Sequence, residues 1–152
     1  MSVWLKDLLA TQGLKCFAKT SGSKGLQIYV PLNTPVSCEN TKSFAHAAAR
    51  ALEREHPKLI TSNMKKSSRG GKVFIDWSQK DEHKTTVNVY SLRAKEYPTV
   101  STPVSWKEVE TALKKKNPKV LIFEAEDVLK RVKKFGDLFR PVLDVKQKLK
   151  TL

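Results

Sequence analysis

A chain of 152 residues with 29 Lys+Arg against 15 Asp+Glu, a formal net charge of +14, has the length of one domain or part of a larger one. It can bury a core without disulfides, and its field attracts phosphate polymers. The apolar content of 39% argues against disorder, no run of about 18 apolar residues marks a membrane span, and Met1-Ser-Val-Trp-Leu-Lys6 lacks the pattern of a secretory leader.

Trp4, Leu5, Leu8 and Leu9 recur at helical spacing, and Gly13 stands where a helix stops. Residues 14–19 read as a strand, 20–25 as a turn and 26–31 as a returning strand, which predicts a hairpin with a basic tip. Asn40 or Thr41 caps a helix to about His56, with Phe44, Ala47, Ala48, Ala51 and Leu52 as its buried stripe. Pro57 interrupts it, and a shorter helix is expected over 58–66. After the turn Ser67-Ser-Arg-Gly-Gly71, the run 72–77 reads as a buried strand, and Thr85–Tyr90 alternates as a strand does. Residues 100–104 read as extended, and Ser105-Trp-Lys-Glu108 is a capping box opening a helix over 106–116. Val120–Phe123 is an apolar run, Ala125–Lys134 a basic amphipathic helix stopped by Gly136, and Asp144–Leu152 a lysine-rich tail read as a frayed helix. Helices and strands mix without regular βαβ alternation, which predicts an α+β fold with a mixed or antiparallel sheet flanked by helices.

The turn carries the clearest chemistry. Glycines at 22 and 25 let backbone amides approach an anion, Ser21 adds a hydroxyl donor, and Lys24 adds a compact positive charge. Such a loop suits a triphosphate or a nucleic-acid backbone, and a plain basic turn is the alternative. It lacks the order of a Walker A motif, and no Gly-x-Ser-x-Gly elbow marks a serine hydrolase. The clusters Lys114-Lys-Lys-Asn-Pro-Lys119 and Lys130-Arg-Val-Lys-Lys134 are solvated faces or phosphate contacts. A membrane surface fits less well, because these segments lack a wide apolar face.

Asp76 stands within the apolar run Val73–Trp77 and, if buried there, needs a partner: a metal ion, Arg69, Lys72 or backbone donors. Two-metal phosphoryl transfer requires several carboxylates, and a D-x-D on a strand supplies two on one face. This chain has none. Glu53/Glu55 and Glu108/Glu110 fall on helices and Glu124/Glu126 at a helix start, where side chains two apart diverge. His46, His56 and His83 lack metal-ligand spacing, and Trp4, Trp77 and Trp106 are read as packing residues, with base stacking as the other role. Cys16 and Cys38 have no CxxC spacing and are read as reduced and partly buried in the cytoplasm.

Taken in order, Lys19–Leu32, Val73-Phe-Ile-Asp-Trp-Ser-Gln79, Lys84-Thr-Thr86, Tyr90-Ser-Leu-Arg-Ala94 and Val100-Ser-Thr-Pro-Val-Ser-Trp106 resemble the polymerase domain of bacterial ligase D, of the archaeo-eukaryotic primase superfamily. The resemblance runs from the first helix to about residue 143 and leaves 144–152 as a basic tail. It implies a primase-type palm that is incomplete relative to the family domain. Carried over residue by residue, it implies that Ser21 and Lys24 contact nucleotide phosphates, that Arg69 belongs to the nucleotide site, and that Asp76 is a catalytic metal ligand. Gln27 stands where the family loop ends in histidine. Glutamine keeps hydrogen-bonding capacity but cannot carry positive charge.

The family acts in non-homologous end joining and transfers nucleotides, NTP or dNTP, to gapped or broken DNA with Mn²⁺ or Mg²⁺. The resemblance covers the C-terminal half of its domain, and the half bearing the D-x-D pair and the 5′-phosphate-binding basic residues has no counterpart in these 152 residues. The expectation is a protein that binds DNA and nucleotide but is catalytically incomplete alone. Metal binding would then require carboxylates from another chain carrying that half. A non-catalytic nucleic-acid-binding accessory module is the alternative. The remaining expected partners are a ligase and Ku, the expected location is the nucleoid-associated cytoplasm, and missing sheet neighbours predict self-association.

Overall fold

The computed structural model describes residues 1–79, 84–94 and 96–149. In chain order they form helix α1 (Ser2–Thr11), strands β1 (Phe17–Thr20) and β2 (Leu26–Tyr29), helix α2 (Cys38–Glu55), strands β3 (Ile60–Thr61), β4 (Val73–Phe74) and β5 (Pro103–Val104), and helices α3 (Trp106–Lys114), α4 (Ala125–Phe135) and α5 (Pro141–Asp144). The class is α+β, as the sequence implies. Packing divides the chain into two units. One takes in the described residues of Met1–Leu14, Thr34–Thr86 and Gln147–Leu152, the other Lys15–Asn33 and Val87–Lys146.

The first unit is built on α1, α2 and a short parallel pair, with Ile60 opposite Val73 and Thr61 opposite Phe74. Its core is Ala49, Leu52, Ile60 and Ile75, with Met1, Leu5, Leu8 and Trp77 packed against it. Ala48, Ala49 and Leu52 are the buried residues of α2; Ala48 and Leu52 belong to the stripe expected, Ala49 joins them, and Phe44, Ala47 and Ala51 are half-buried. The helix also starts earlier than expected. Ser37 is extended, and its Oγ accepts from the Asn40 amide at 3.1 Å, so Ser37 rather than Asn40 or Thr41 is the cap.

No helix forms over 58–66. Ile60 is fully buried in the core, and the Glu53 carboxylate of α2 accepts from Thr61 Oγ1 and the Ser62 amide, each at 3.1 Å, and from the Ser62 hydroxyl. These bonds hold the segment extended against α2. The Ser62 hydroxyl is the main reason the Glu53 carboxyl lies below its ordinary range; burial opposes it, and the Ser62 amide, Thr61 and Lys72 add to the lowering. Trp77 packs as expected, stacked on His46 with ring centroids 4.0 Å apart and donating Nε1–H to Ser62 O at 2.9 Å. His56 stacks on Trp4 at 3.8 Å. His83 lies outside the described residues.

The second unit is organised by an antiparallel sheet in the order β2–β1–β5, with Ala18 between Ile28 and Val104. The Ser105/Glu108 capping box opens α3 as its sequence dictates. Trp106 Nε1–H donates to Cys16 O at 2.8 Å and ties α3 to the chain entering β1. Arg131 of α4 pairs with Glu108, donates to Pro103 O at 3.1 Å and lies 4.4 Å over the Phe123 ring, which anchors α4 to both sheet and helix. Burial works to raise the Glu108 carboxyl, but the Arg131 and Ser105 donors prevail and hold it below its ordinary value. Gly136, at φ +68°, ends α4 where expected.

Thr85–Tyr90 is not a strand. Tyr90 adopts φ +64°, its amide donates to Ser101 O at 2.7 Å, and its hydroxyl donates to Asp137, so tertiary bonds override the alternating pattern. The expected tail helix is also absent from 145–149. The last helical turn is α5, and Asn33 Nδ2 donates to Val145 O at 2.8 Å as the chain leaves it. Neither cysteine forms a disulfide among the described residues; Cys16 is buried, but Cys38 is exposed rather than partly buried. No described helix is long and apolar enough to cross a membrane.

Candidate phosphate-binding loop and carboxylate

The hairpin of the second unit builds the loop at 21–25 from its own hydrogen bonds. Ser21 N donates to Gly25 O at 2.9 Å, which carries the β1–β2 ladder one step further. Ser21 Oγ accepts from the Ser23 amide at 3.2 Å and the Gly25 amide at 3.1 Å. Two amides expected to face an anion are therefore spent inside the loop, and the donors it still offers include the Ser21 and Ser23 hydroxyls and the exposed Lys24 ammonium. Gln27 is partly buried on β2, opposite Lys19.

Two residues to which sequence reasoning gave no role stand beside this loop. Lys19 is completely buried, and its Nζ donates to Gln27 Oε1 at 2.6 Å, Val87 O at 2.8 Å and Ser101 Oγ at 2.7 Å. Burial, helped by the Arg93 charge, pulls this ammonium down to about 8. Its signal was legible only as a lysine inside a strand otherwise flanked by Ala18 and Thr20. The other is Arg93, whose chain packs against Gly22. A methyl group at position 22 would lie 2.7 Å from Arg93 Cγ and 3.0 Å from Ser101 N, and Gly22 has φ +64°. Gly22→Ala is therefore expected to cost about 2–4 kcal/mol from overpacking and left-handed strain, read as a fall in the urea midpoint. An unchanged midpoint would show that the loop gives way.

In the first unit, Asp76 does not lie in a buried strand. β4 ends at Phe74, and the Asp76 side chain is 39% exposed. Its Oδ1 accepts from the Ser78 amide at 3.2 Å and the Ser78 hydroxyl at 2.9 Å, and this Asx turn draws the backbone out of the strand. Lys84 Nζ lies 3.6 Å from the same oxygen. Arg69 does not partner Asp76. It donates Nη2–H to Met64 O at 3.1 Å and lies 4.0 Å over the Phe74 ring, while its buried Nε lacks an acceptor. No cluster of three His, Cys, Asp or Glu residues suited to a metal exists among the described residues. Asp76 alone, with an ammonium on one oxygen, does not make a divalent-cation site. Ser21, Lys24 and Gln27 thus belong to one unit and Arg69 and Asp76 to the other.

A family model described as the LigD primase-polymerase domain matches residues 1–139. The chain belongs to this family. The multifunctional non-homologous end joining DNA repair protein LigD of Mycobacterium tuberculosis (strain H37Rv) is 45% identical over 134 residues, covering 88% of this chain and 17% of the relative. The bifunctional non-homologous end joining protein LigD of Bacillus subtilis (strain 168) is 35% identical over 133 residues, 87% of this chain and 21% of that protein. Among solved structures, the polymerase domain of Mycobacterium tuberculosis ligase D in complex with DNA matches with a TM-score of 0.85 at 41% identity. That match takes in 96% of this chain and 49% of the solved one. The chain therefore spans about a fifth of the length of these curated LigD relatives and about half of the solved LigD domain. The α+β arrangement expected from the sequence is that of the LigD polymerase fold.

Proposed function

We propose that this chain forms the part of a DNA end-joining polymerase that holds an incoming nucleotide's phosphates and the backbone of gapped or broken DNA. The observation that carries this reading is the likeness, over 96% of the chain, to a polymerase domain solved with DNA. The net charge of +14 and the Ser21/Lys24 loop support it. In this reading the Ser21 hydroxyl and the Lys24 ammonium donate to triphosphate oxygens, and Arg93 beside the loop adds a third contact, the second cationic one. Gln27 supplies an uncharged donor, and Arg69 is the further nucleotide contact that the family resemblance implies.

Asp76 takes part in holding Mn²⁺ or Mg²⁺ only together with carboxylates from outside these 152 residues, in the same polypeptide or another. When bound, such ions would activate the primer hydroxyl and neutralise phosphate charge. The partners this reading calls for are DNA, NTP or dNTP, a polypeptide segment bearing the D-x-D pair, a ligase and Ku, all in the nucleoid-associated cytoplasm.

Lys24→Ala is expected to weaken triphosphate binding by about tenfold, the loss of one charge-assisted bond. Fluorescence titration with a labelled ATP measures it, and equal affinity would favour the plain-turn reading. Primer extension with Mn²⁺ is expected to be absent from the 152-residue chain and restored by a segment carrying the D-x-D strand. Extension by the chain alone would refute the incomplete site. The isolated Asp76 favours a second reading, a DNA-binding module without catalysis, which failure of that restoration would support.

A further inference from the structure

Lys19 and Gln27 are directly opposed in the β1–β2 register, with Lys19 Nζ 2.6 Å from Gln27 Oε1. An ammonium has donors and no acceptor, so only the carbonyl end of the Gln27 amide can face it. The lysine cannot turn away to release that oxygen, because its remaining protons are held by Val87 O and Ser101 Oγ. Ser101 Oγ is itself fixed, donating to Thr20 O at 2.9 Å. The Gln27 amide group is thereby set with its NH₂ turned from Lys19, and no described acceptor takes those protons. The Ser21 N–H to Gly25 O bond continues the ladder, so Ser21 and Gly25 come next along the face that bears Lys19 and Gln27.

We propose that Lys19 is a positioning residue that fixes Gln27 as a pure hydrogen-bond donor toward the phosphates held at the 21–25 loop. This rests on the reading of that loop as a phosphate site. It accounts for glutamine at a position where histidine would serve. A histidine facing the same ammonium accepts through one ring nitrogen, stays neutral, and offers its other N–H. Both side chains satisfy the lysine with an acceptor and present a donor beyond it. Glutamate satisfies the lysine equally but presents no donor.

The test is binding of mant-ATP to the 152-residue chain in metal-free buffer. Gln27→Glu, which keeps the bond to Lys19, is expected to weaken binding about tenfold or more without lowering the urea midpoint, while Gln27→His stays within about threefold of the parent. Lys19→Met and Gln27→Ala are each expected to weaken binding about tenfold, and the double variant no further, because both remove one oriented donor. Should Lys19→Met fail to fold, the parent chain still decides: the Gln27 side-chain ¹H–¹⁵N resonances must shift on saturation with mant-ATP. Unmoved resonances, parent-like binding by Gln27→Glu, or additive losses in the double variant overturn the proposal. If those results appear while Lys24→Ala still weakens binding, the positioning role alone is wrong. If Lys24→Ala is also without effect, the phosphate loop itself is wrong.

Discussion

Raising monovalent salt from about 50 to about 200 mM is expected to cost this chain on the order of a thousandfold in DNA affinity, the loss for roughly six neutralised phosphates. The charge that drives this is available. Lys114, Lys115, Lys116, Lys119, Lys133 and Lys134 are exposed, and Lys130 is paired only loosely, 3.9 Å from the exposed Glu126 carboxylate. Exposed lysines release counterions when they meet a phosphate backbone, whereas lysines already paired do not. Fluorescence anisotropy of a labelled gapped duplex measures the effect, with an expected slope of log K against log salt near about −5. An affinity flat across that range would remove DNA from the proposed function.

Lys19→Met is expected to cost about 3 kcal/mol of stability, read from the shift in the urea unfolding midpoint. The substitution takes the ammonium donor from Gln27 Oε1 and Val87 O, both partly buried, and from the buried Ser101 Oγ, and an unsatisfied buried acceptor costs about 1–3 kcal/mol. Relief from burying an ammonium offsets part of that total. The pH dependence has a definite direction. With Lys19 at about 8 in the folded chain and 10.5 as its ordinary value, the unfolded chain holds the proton longer between those limits. Stability of the parent relative to Lys19→Met should therefore rise with pH across that window and be flat below it. A cost under about 1 kcal/mol would mean that the three acceptors find other donors.

Legibility from sequence followed the range of the interactions. The hairpin, the Ser105 capping box and the Gly136 stop depend on residues within a few positions of one another, and each forms as the pattern implies. The segments 58–66 and 85–90 were misread because distant groups decide them. Glu53 claims Ser62 and holds the first extended, while Ser101 and Asp137 bind Tyr90 in a left-handed conformation in the second. At the site, Ser21, Lys24 and Gln27 were legible as a motif on one hairpin. The roles of Lys19 and Arg93 were not, because they arise from packing against Ser101 and Gly22 across the fold. The exposure of Asp76 was missed because its own Asx turn with Ser78, rather than the apolar run before it, sets the backbone there.

The Ser21 hydroxyl gathers the Ser23 and Gly25 amides within the loop itself. In the proposed reading the loop is then a mould already cast, and an arriving triphosphate would forfeit little backbone entropy on seating in it. Capture should then be governed by diffusional encounter in a positive field rather than by closure of a flap, and its rate should slow with ionic strength while showing no lag.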